Sequence, residues 1–515
     1  MQFFIDNTLI YVKIEVYFGG VFMERISVKG TTFVDESGRE RIFNGINLVN
    51  KGHYDEKTGQ MDYFNVNWDE DMFRQFSEKG INLIRFGLVW KAIEPAPGIY
   101  NEDYLDYMEK FVDMACRYGI YVYLDVHQDC FHGMPDWATV TDSYKRRKPL
   151  LIWAEGYFID KAVHRAFDNF WANNPVAGKG IQDWFADMWK HVATRFKDKE
   201  NLFGFDILNE PFPGTSGGKV FKNIIKSGAK AIISRKKELL GSFKEIVKND
   251  PVKGILSALD DKTLVREITS SGDLIIMNFD VDKYYPFMKK ISAAIREVTD
   301  NGIIVMEACY YSNSSIPSST PRIKYDNGEL EKNICFAPHG YDITVDSVYT
   351  NTAGNNRVDA IFDQHAKTQS RLGIPVIVGE WGGMVPGSEE YPHLEHLLDY
   401  FDNKHWSQTY WCYMDGLLEE KIMDIISRPY PLAVPGDIGK YHYNRVSDTF
   451  TLTFSCDSST RKKAVVYSPA KPYEIISKCK YSIESIENSD ACYITFGAGK
   501  GENNIELRYA PIIKE

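Results

Sequence analysis

Eight cysteines are spread over 515 residues, and no two of them form a CxxC pair. Cys116, Cys130, Cys309, Cys335, Cys412, Cys456, Cys479 and Cys492 stand singly, which suits reduced thiols better than a disulfide framework or a zinc site. No apolar run is long enough to cross a bilayer. Positive charge is not in excess: the formal charge is −11, which argues against non-specific nucleic-acid binding. Internal repeats and low-complexity segments are absent as well. A glycine-rich phosphate turn is missing after the first barrel strand, where Asn47-Leu48-Val49-Asn50 stands instead, so a doubly wound nucleotide-binding sheet is disfavoured. The first 22 residues are apolar in patches but broken by Asp6, Lys13 and Glu15, with no basic start and no small-residue cleavage site, a poor signal peptide. Met23 opens a more ordinary start. Residues 1–25 are therefore set apart as a poorly defined extension, either a mis-called start or a short added strand, and a soluble intracellular protein is expected.

What is present is ample material for two domains. Hydrophobic residues make up 44%, enough for a large core, and 31 Tyr and 10 Trp offer faces on which rings can stack. Ile26–Val34 and Arg41–Asn47 bracket the turn at Asp35–Gly38 and lead into a first strand. Strand and helix patterns then alternate: a helix over Trp68–Lys79, a strand over Ile81–Phe86, a helix over Tyr104–Tyr118, a strand over Ile120–Val126. Asp183–Phe196 precedes the strand Leu202–Leu208; Lys283–Val298 precedes Gly302–Met306; Ile334–Pro338 is followed by the helix Val358–Leu372. Pro375–Gly379, the helix Glu390–Asn403 and the strand Gln408–Tyr413 complete eight strands. That pattern predicts an α/β fold, a closed (β/α)8 TIM barrel over residues 26–428. From about Pro429 the helical period disappears, and short β-rich runs predict a small C-terminal all-β sandwich over 429–515.

The ends of the barrel strands carry the chemistry. Arg85 lies in NLIRFG; His127, Gln128 and Asp129 follow YVYLDV; Asn209 and Glu210 close NLFGFDILNEP. Glu307 follows GIIVM, His339 and Tyr341 follow the next strand, Glu380 follows IPVIVG, and Trp411 lies in QTYWCY. Any one of these alone reads best as a satisfied buried polar residue. The set reads as an active site, because the C-terminal mouth is where such barrels place theirs. Two glutamates on facing strands suit glycoside hydrolysis, in which a retaining enzyme holds an acid and a nucleophile about 5 Å apart. Glu210 is then the acid/base, with Asn209 placed for the sugar 2-hydroxyl. Glu380 is the nucleophile, aimed by Tyr341 and kept charged by Arg85. His127 and His339 suit sugar hydroxyls, and Trp411 offers a stacking face. No cofactor and no metal is expected: His127, Asp129, Cys130 and His132 match no common zinc spacing.

With Arg85, His127, Asn209-Glu210-Pro211, His339, Tyr341, Glu380 and Trp411 in place, the chain resembles the retaining (β/α)8 glycosidases of glycoside hydrolase family 5. Within that family it is similar to the endoglycoceramidase and glucosylceramidase branch. Its marks are His127-Gln128-Asp129, Met134-Pro135-Asp136-Trp137-Ala138, and Arg428-Pro429-Tyr430-Pro431 with Ala433 and Gly436. The resemblance covers most of Ile42–Phe454. It implies cleavage of a β-linkage between a sugar and a lipid, with Lys51 and Asp129 also contacting the sugar. Rival readings are an endo-β-glucanase on soluble glucans, a steryl-β-glucosidase and, from another class, a non-catalytic carbohydrate- or lipid-binding barrel.

One stretch lies outside the barrel pattern, an insertion at about 214–277. Within 219–250 nine basic residues face three acidic ones, a net of +6. Phe221, Ile224, Ile225, Ile232, Ile233, Leu239, Leu240, Phe243 and Val247 recur at helical spacing. Such a stretch is expected either to touch an anionic membrane peripherally or to pack on the barrel with its lysines solvated.

Overall fold

The computed structural model describes residues 23–140, 153–235, 250–384, 391–457 and 460–510. Eight parallel strands run in chain order around a barrel: Asn44–Val49, Leu83–Leu88, Tyr121–Val126, Leu202–Asp206, Ile303–Glu307, Ile334–Ala337, Ile377–Val378 and Ser407–Tyr410. The last strand pairs back on the first, Gln408 opposite Asn44. Closure between the sixth and seventh strands comes from a single bridge, Phe336 to Val376. Above it His339–Gly340 pairs in parallel with Glu380–Trp381, which lengthens the barrel wall at its mouth. These strands are buried on both faces and so read as near-continuous apolar runs.

The inside of the barrel is filled from below by aromatic rings. Phe43 meets Phe203 edge to face at 5.0 Å, and Phe33 from the N-terminal hairpin meets Phe203 at 5.3 Å. The outer helices bury amphipathic faces: Met72, Phe73 and Phe76 from Glu70–Glu78, and Tyr104, Leu105, Met108, Phe111 and Val112 from Glu102–Arg117. Asp69 caps the first of these helices and Asn101 the second.

Two antiparallel sheets form the sandwich, one of seven strands and one of four. The larger sheet includes Ile26–Lys29, Thr32–Asp35 and Arg39–Arg41, the last paired with Tyr430–Pro435. The N-terminal strands thus share a sheet with the C-terminal ones. The stretch Ile26–Val34 is not one strand, because Gly30 takes φ 61° and turns it into a hairpin. Arg428 fixes the junction: buried, it donates to Asp402 and, at 3.1 Å, to Asn44. Tyr467 packs so closely on Gly80 (φ 74°) that an added Cβ would fall 2.3 Å from its ring.

Between the fourth and fifth barrel strands lie the extra helices Thr215–Ser234, Pro251–Ala258, Lys262–Thr269 and Asp273–Phe279, followed by the barrel helix Tyr285–Arg296. Thr215–Ser234 packs Val220, Phe221, Ile224 and Ala231 inward. Ile225 and Ile233 face outward, so the apolar residues of this helix do not all share one side. Leu239, Leu240, Phe243 and Val247 lie outside the described residues. No helix among the described residues is long and apolar enough to cross a membrane. None of the eight cysteines, all of them among the described residues, forms a disulfide.

Candidate active site

Arg85, fully buried inside the barrel, is the hub of the site. Its Nη1 donates to Glu380 Oε1 at 2.6 Å and to Asn47 Oδ1 at 3.2 Å. Nη2 donates to Glu307 Oε1 at 2.6 Å and Asn209 Oδ1 at 2.9 Å, and lies 3.0 Å from Asp125. Nε donates to Asp206 Oδ2 at 2.8 Å. Four carboxylates around one guanidinium cannot all stay ionised away from water. Burial, with the charge of Glu307 added, pushes Asp206 well above the ordinary carboxylate range, and burial raises Asp125 too. Glu307 goes the other way: against the cost of burial, the charges of His339 and Arg85 hold it low.

The two strand-end glutamates meet above this hub. Glu380 accepts from Arg85 on one oxygen and from the Tyr341 hydroxyl on the other, at 2.7 Å. Glu210 accepts on Oε1 from Asn313 Nδ2 at 2.6 Å and faces His339 Nδ1 at 3.1 Å. One oxygen of each glutamate and a ring nitrogen of His339 lie within 4.8 Å of one another. Burial raises Glu210 to about 7, opposed by the His339 hydrogen bond and reinforced by the charge of Glu380. His339 is held well above the usual histidine range: burial disfavours the imidazolium, but Glu307 and Glu380 outweigh it.

A second cluster lines the other side. His127 Nδ1 faces Asp125 at 2.8 Å and Nε2 faces Asp129 at 3.4 Å. Burial opposes its protonation, yet Asp125 lifts it to about 9. Asp129 accepts from Lys51 Nζ at 2.5 Å and is held well below the ordinary range, the lysine overcoming burial. The indole of Trp411 meets both Lys51, 4.7 Å from its ring centre, and the imidazole of His127, stacked at 5.3 Å. Asn209 uses both ends of its amide on the protein, accepting from Arg85 and donating to Gln128 O at 2.8 Å. That holds it in place under the cleft.

These groups open into one cleft of about 330 Å³. Lys51, Asp129, Glu210, Tyr341, Glu380 and Trp411 are among the residues lining it, and Trp153, Phe158, Tyr310 and Ile343 add apolar surface. Phe158 is backed by Phe221 of the inserted helix, stacked at 4.6 Å. Of the residues predicted from the sequence for the site, Lys51, Asp129, Glu210, Tyr341, Glu380 and Trp411 line the cleft. Arg85 and His339 bond to its glutamates, His127 stacks on Trp411, and Asn209 lies one step further back, held by Arg85. Not foreseen were Asn47, Asp125, Asp206 and Asn313, and Glu307 was marked only as a polar strand end. Among the described residues two triads have the spacing of a cation site, Glu210–His339–Glu380 and Asp125–Asp206–Glu307. In the first the imidazole already bridges the acids, and in the second the guanidinium of Arg85 already sits among them.

Residues 34–238 and 269–416 match the family described as cellulase, glycosyl hydrolase family 5, and residues 428–505 match the glycoside hydrolase family 5 C-terminal domain. The gap at 239–268 falls inside the insertion. An endoglycoceramidase of Cyanea nozakii is 35% identical over 218 residues, 37% of this chain and 42% of that one. One of Hydra vulgaris is 33% identical over 251 residues, 42% and 46% of the two chains. The matched stretch thus spans less than half the length of both relatives. In fold, the chain is similar to the structure of endo-glycoceramidase II from Rhodococcus sp., with a TM-score of 0.69 at 23% identity, covering 94% of this chain and 100% of that one.

Proposed function

The chain belongs to glycoside hydrolase family 5, and from that premise we propose that it is a retaining β-glycosidase acting on the bond between a sugar and a lipid. The observation that carries the reading is the approach of Glu210 and Glu380 within 4.8 Å. Retaining enzymes hold their carboxyls about 5–5.5 Å apart, and inverting ones need about 6.5–9.5 Å to admit a water. In the first step Glu380, held by Arg85 and Tyr341, attacks the anomeric carbon as the glycosidic bond breaks. Glu210 gives its proton to the leaving oxygen. In the second step Glu210 takes a proton from water, the water attacks the same carbon, and the ester to Glu380 breaks. Lys51, His127 and Asp129 take the sugar hydroxyls, Asn209 the 2-hydroxyl, and Trp411 the ring face.

A lipid leaving group is favoured by the apolar wall beside Glu210, made by Trp153, Phe158 and Tyr310, and by the endoglycoceramidase names of the relatives. Peripheral contact with an anionic bilayer through 219–250 fits the same reading. Ile225, Ala229 and Ile233 face outward on the inserted helix, interleaved with Lys222, Lys226 and Lys230. The test is a side-by-side product assay on glucosylceramide, a steryl glucoside and a cellooligosaccharide. Release of sugar from the ceramide substrate supports the reading. Cleavage of the cellooligosaccharide alone would make the protein an endoglucanase, and of the steryl glucoside alone a steryl-glucosidase.

A further inference from the structure

Glu210 presents its two carboxylate oxygens to different surroundings. Oε1 takes the Asn313 amide at 2.6 Å and the His339 ring at 3.1 Å. No hydrogen-bond donor among the described residues reaches Oε2. The two partners of Oε1 are not equivalent. His339 Nδ1 is shared with Glu380 at 3.5 Å, and its Nε2 faces Glu307 at 3.4 Å. Among the described residues the Asn313 side chain bonds to Glu210 alone.

The segment that carries Asn313 is anchored on three sides. It belongs to the tight turn Tyr310–Ser314 after the fifth barrel strand. Tyr310 N donates to Pro211 O at 3.1 Å, so the turn is tied to the loop that holds Glu210. The Tyr311 hydroxyl donates to Gly217 O at 2.7 Å on the inserted helix. Ser315 Oγ donates to Ala360 O at 2.8 Å on the helix Asn355–Leu372. The half-buried Asn313 side chain lines the cleft between Tyr310 and the glutamates.

We propose that Asn313 is a positioning residue for Glu210, reserving Oε1 as an acceptor so that Oε2 carries the proton delivered to the leaving oxygen. The inference rests on the glycosidase reading above. As the glycosidic C–O bond breaks and the bond to Glu380 forms, the O–H bond at Oε2 breaks and its proton passes to the leaving oxygen. Glu210 then turns base through the same oxygen. The amide donor favours the carboxylate form. It works against Glu380 and Asp129, which favour the protonated acid, and alongside His339. Glu307, Tyr157, Tyr310, Tyr341 and Cys309 also face Glu210, and a substitution at Asn313 leaves their own chemistry unchanged.

The test measures kcat/KM against pH for wild type, Asn313→Ala and Asn313→Asp. Two substrates are used, an alkyl β-glycoside that needs protonation and a dinitrophenyl β-glycoside that does not. Asn313→Ala should move the alkaline limb upward by about half to one pH unit, and Asn313→Asp, which sets a second carboxylate beside Glu210, should move it further. The loss in kcat/KM should be about tenfold to a hundredfold on the alkyl substrate and several times smaller on the dinitrophenyl one. An unmoved limb in both variants, or equal losses on the two substrates, would overturn the proposal while leaving the glycosidase reading intact. A wild type that hydrolyses neither glycoside would overturn both.

Discussion

The main-chain N–H of Glu210 donates to Glu307 Oε2 at 2.6 Å. Glu210 needs such a partner, because its φ of 45° puts a non-glycine residue in the left-handed region, at a cost on the order of 1–2 kcal/mol. The other oxygen of Glu307 accepts from Arg85, whose Nη1 holds Glu380. One carboxylate on the fifth strand thus ties the backbone of Glu210 to the side chain of Glu380.

Changing Glu307 should therefore damage both glutamates at once. Glu307→Ala leaves Arg85 and His339 short of a buried counter-charge, with an expected cost of about 3–5 kcal/mol in stability. Glu307→Gln keeps an acceptor oxygen and should cost less, yet still lower kcat. Denaturant unfolding and steady-state kinetics on both variants check this. A Glu307→Ala protein with wild-type stability would contradict it.

The pH dependence follows from Glu210, raised to about 7. Below that value the residue is protonated and able to act as acid, and above it the proton is lost. The kcat/KM for an alkyl or lipid glycoside should therefore fall along an alkaline limb near pH 7. The same shift acts on stability. A carboxyl whose folded pKa exceeds its unfolded value stabilises the fold fully below the unfolded value of 4.5, and that contribution is lost as pH rises through about 7. In Glu380→Gln one of the charges raising Glu210 is gone, so its titration, followed by carbon-labelled NMR, should move down.

Substituting the two glutamates should give different kinetic signatures. Glu380→Gln removes the proposed nucleophile and should abolish turnover of every glycoside. Glu210→Gln should lose about 10²–10⁴-fold on a lipid glycoside. With an activated phenol as leaving group it should still glycosylate Glu380 and accumulate the covalent intermediate, visible by intact-protein mass spectrometry. Equal losses on the two substrates would mean Glu210 is not the acid.

The barrel was legible because parallel strands buried on both faces leave apolar runs that punctuate the helices, and the strand-end Glu210 and Glu380 stood out against them. Boundaries were less so. The run Leu202–Leu208 reads as one strand, but pairing ends at Asp206, since the chain must leave the sheet to reach the φ of Glu210. No local signal tells Arg39–Arg41 to pair with Tyr430–Pro435, a contact between opposite ends of the chain. Asp125 and Asp206 were visible as acids inside apolar strands, a pattern that could have marked them as partners of Arg85. Asn313 was not, because a short turn has no periodicity from which to read the direction of a side chain.

The inserted helix yields a prediction of its own. Vesicle co-sedimentation should show binding that strengthens with anionic lipid and weakens when Lys226 and Lys230, together with Lys236 and Lys237, are changed to Gln. The last two lie outside the described residues. Equal sedimentation of both proteins, or none, would mean the helix only packs on the barrel.

The central claim, that Glu210 and Glu380 act by double displacement, is tested most directly by the anomer released first. Proton NMR of a fresh reaction on a β-glycoside, read before mutarotation, should show the β-sugar appearing first and the α-form growing only later. Initial appearance of the α-anomer would mean inversion, and would contradict the assignment of Glu380 as nucleophile.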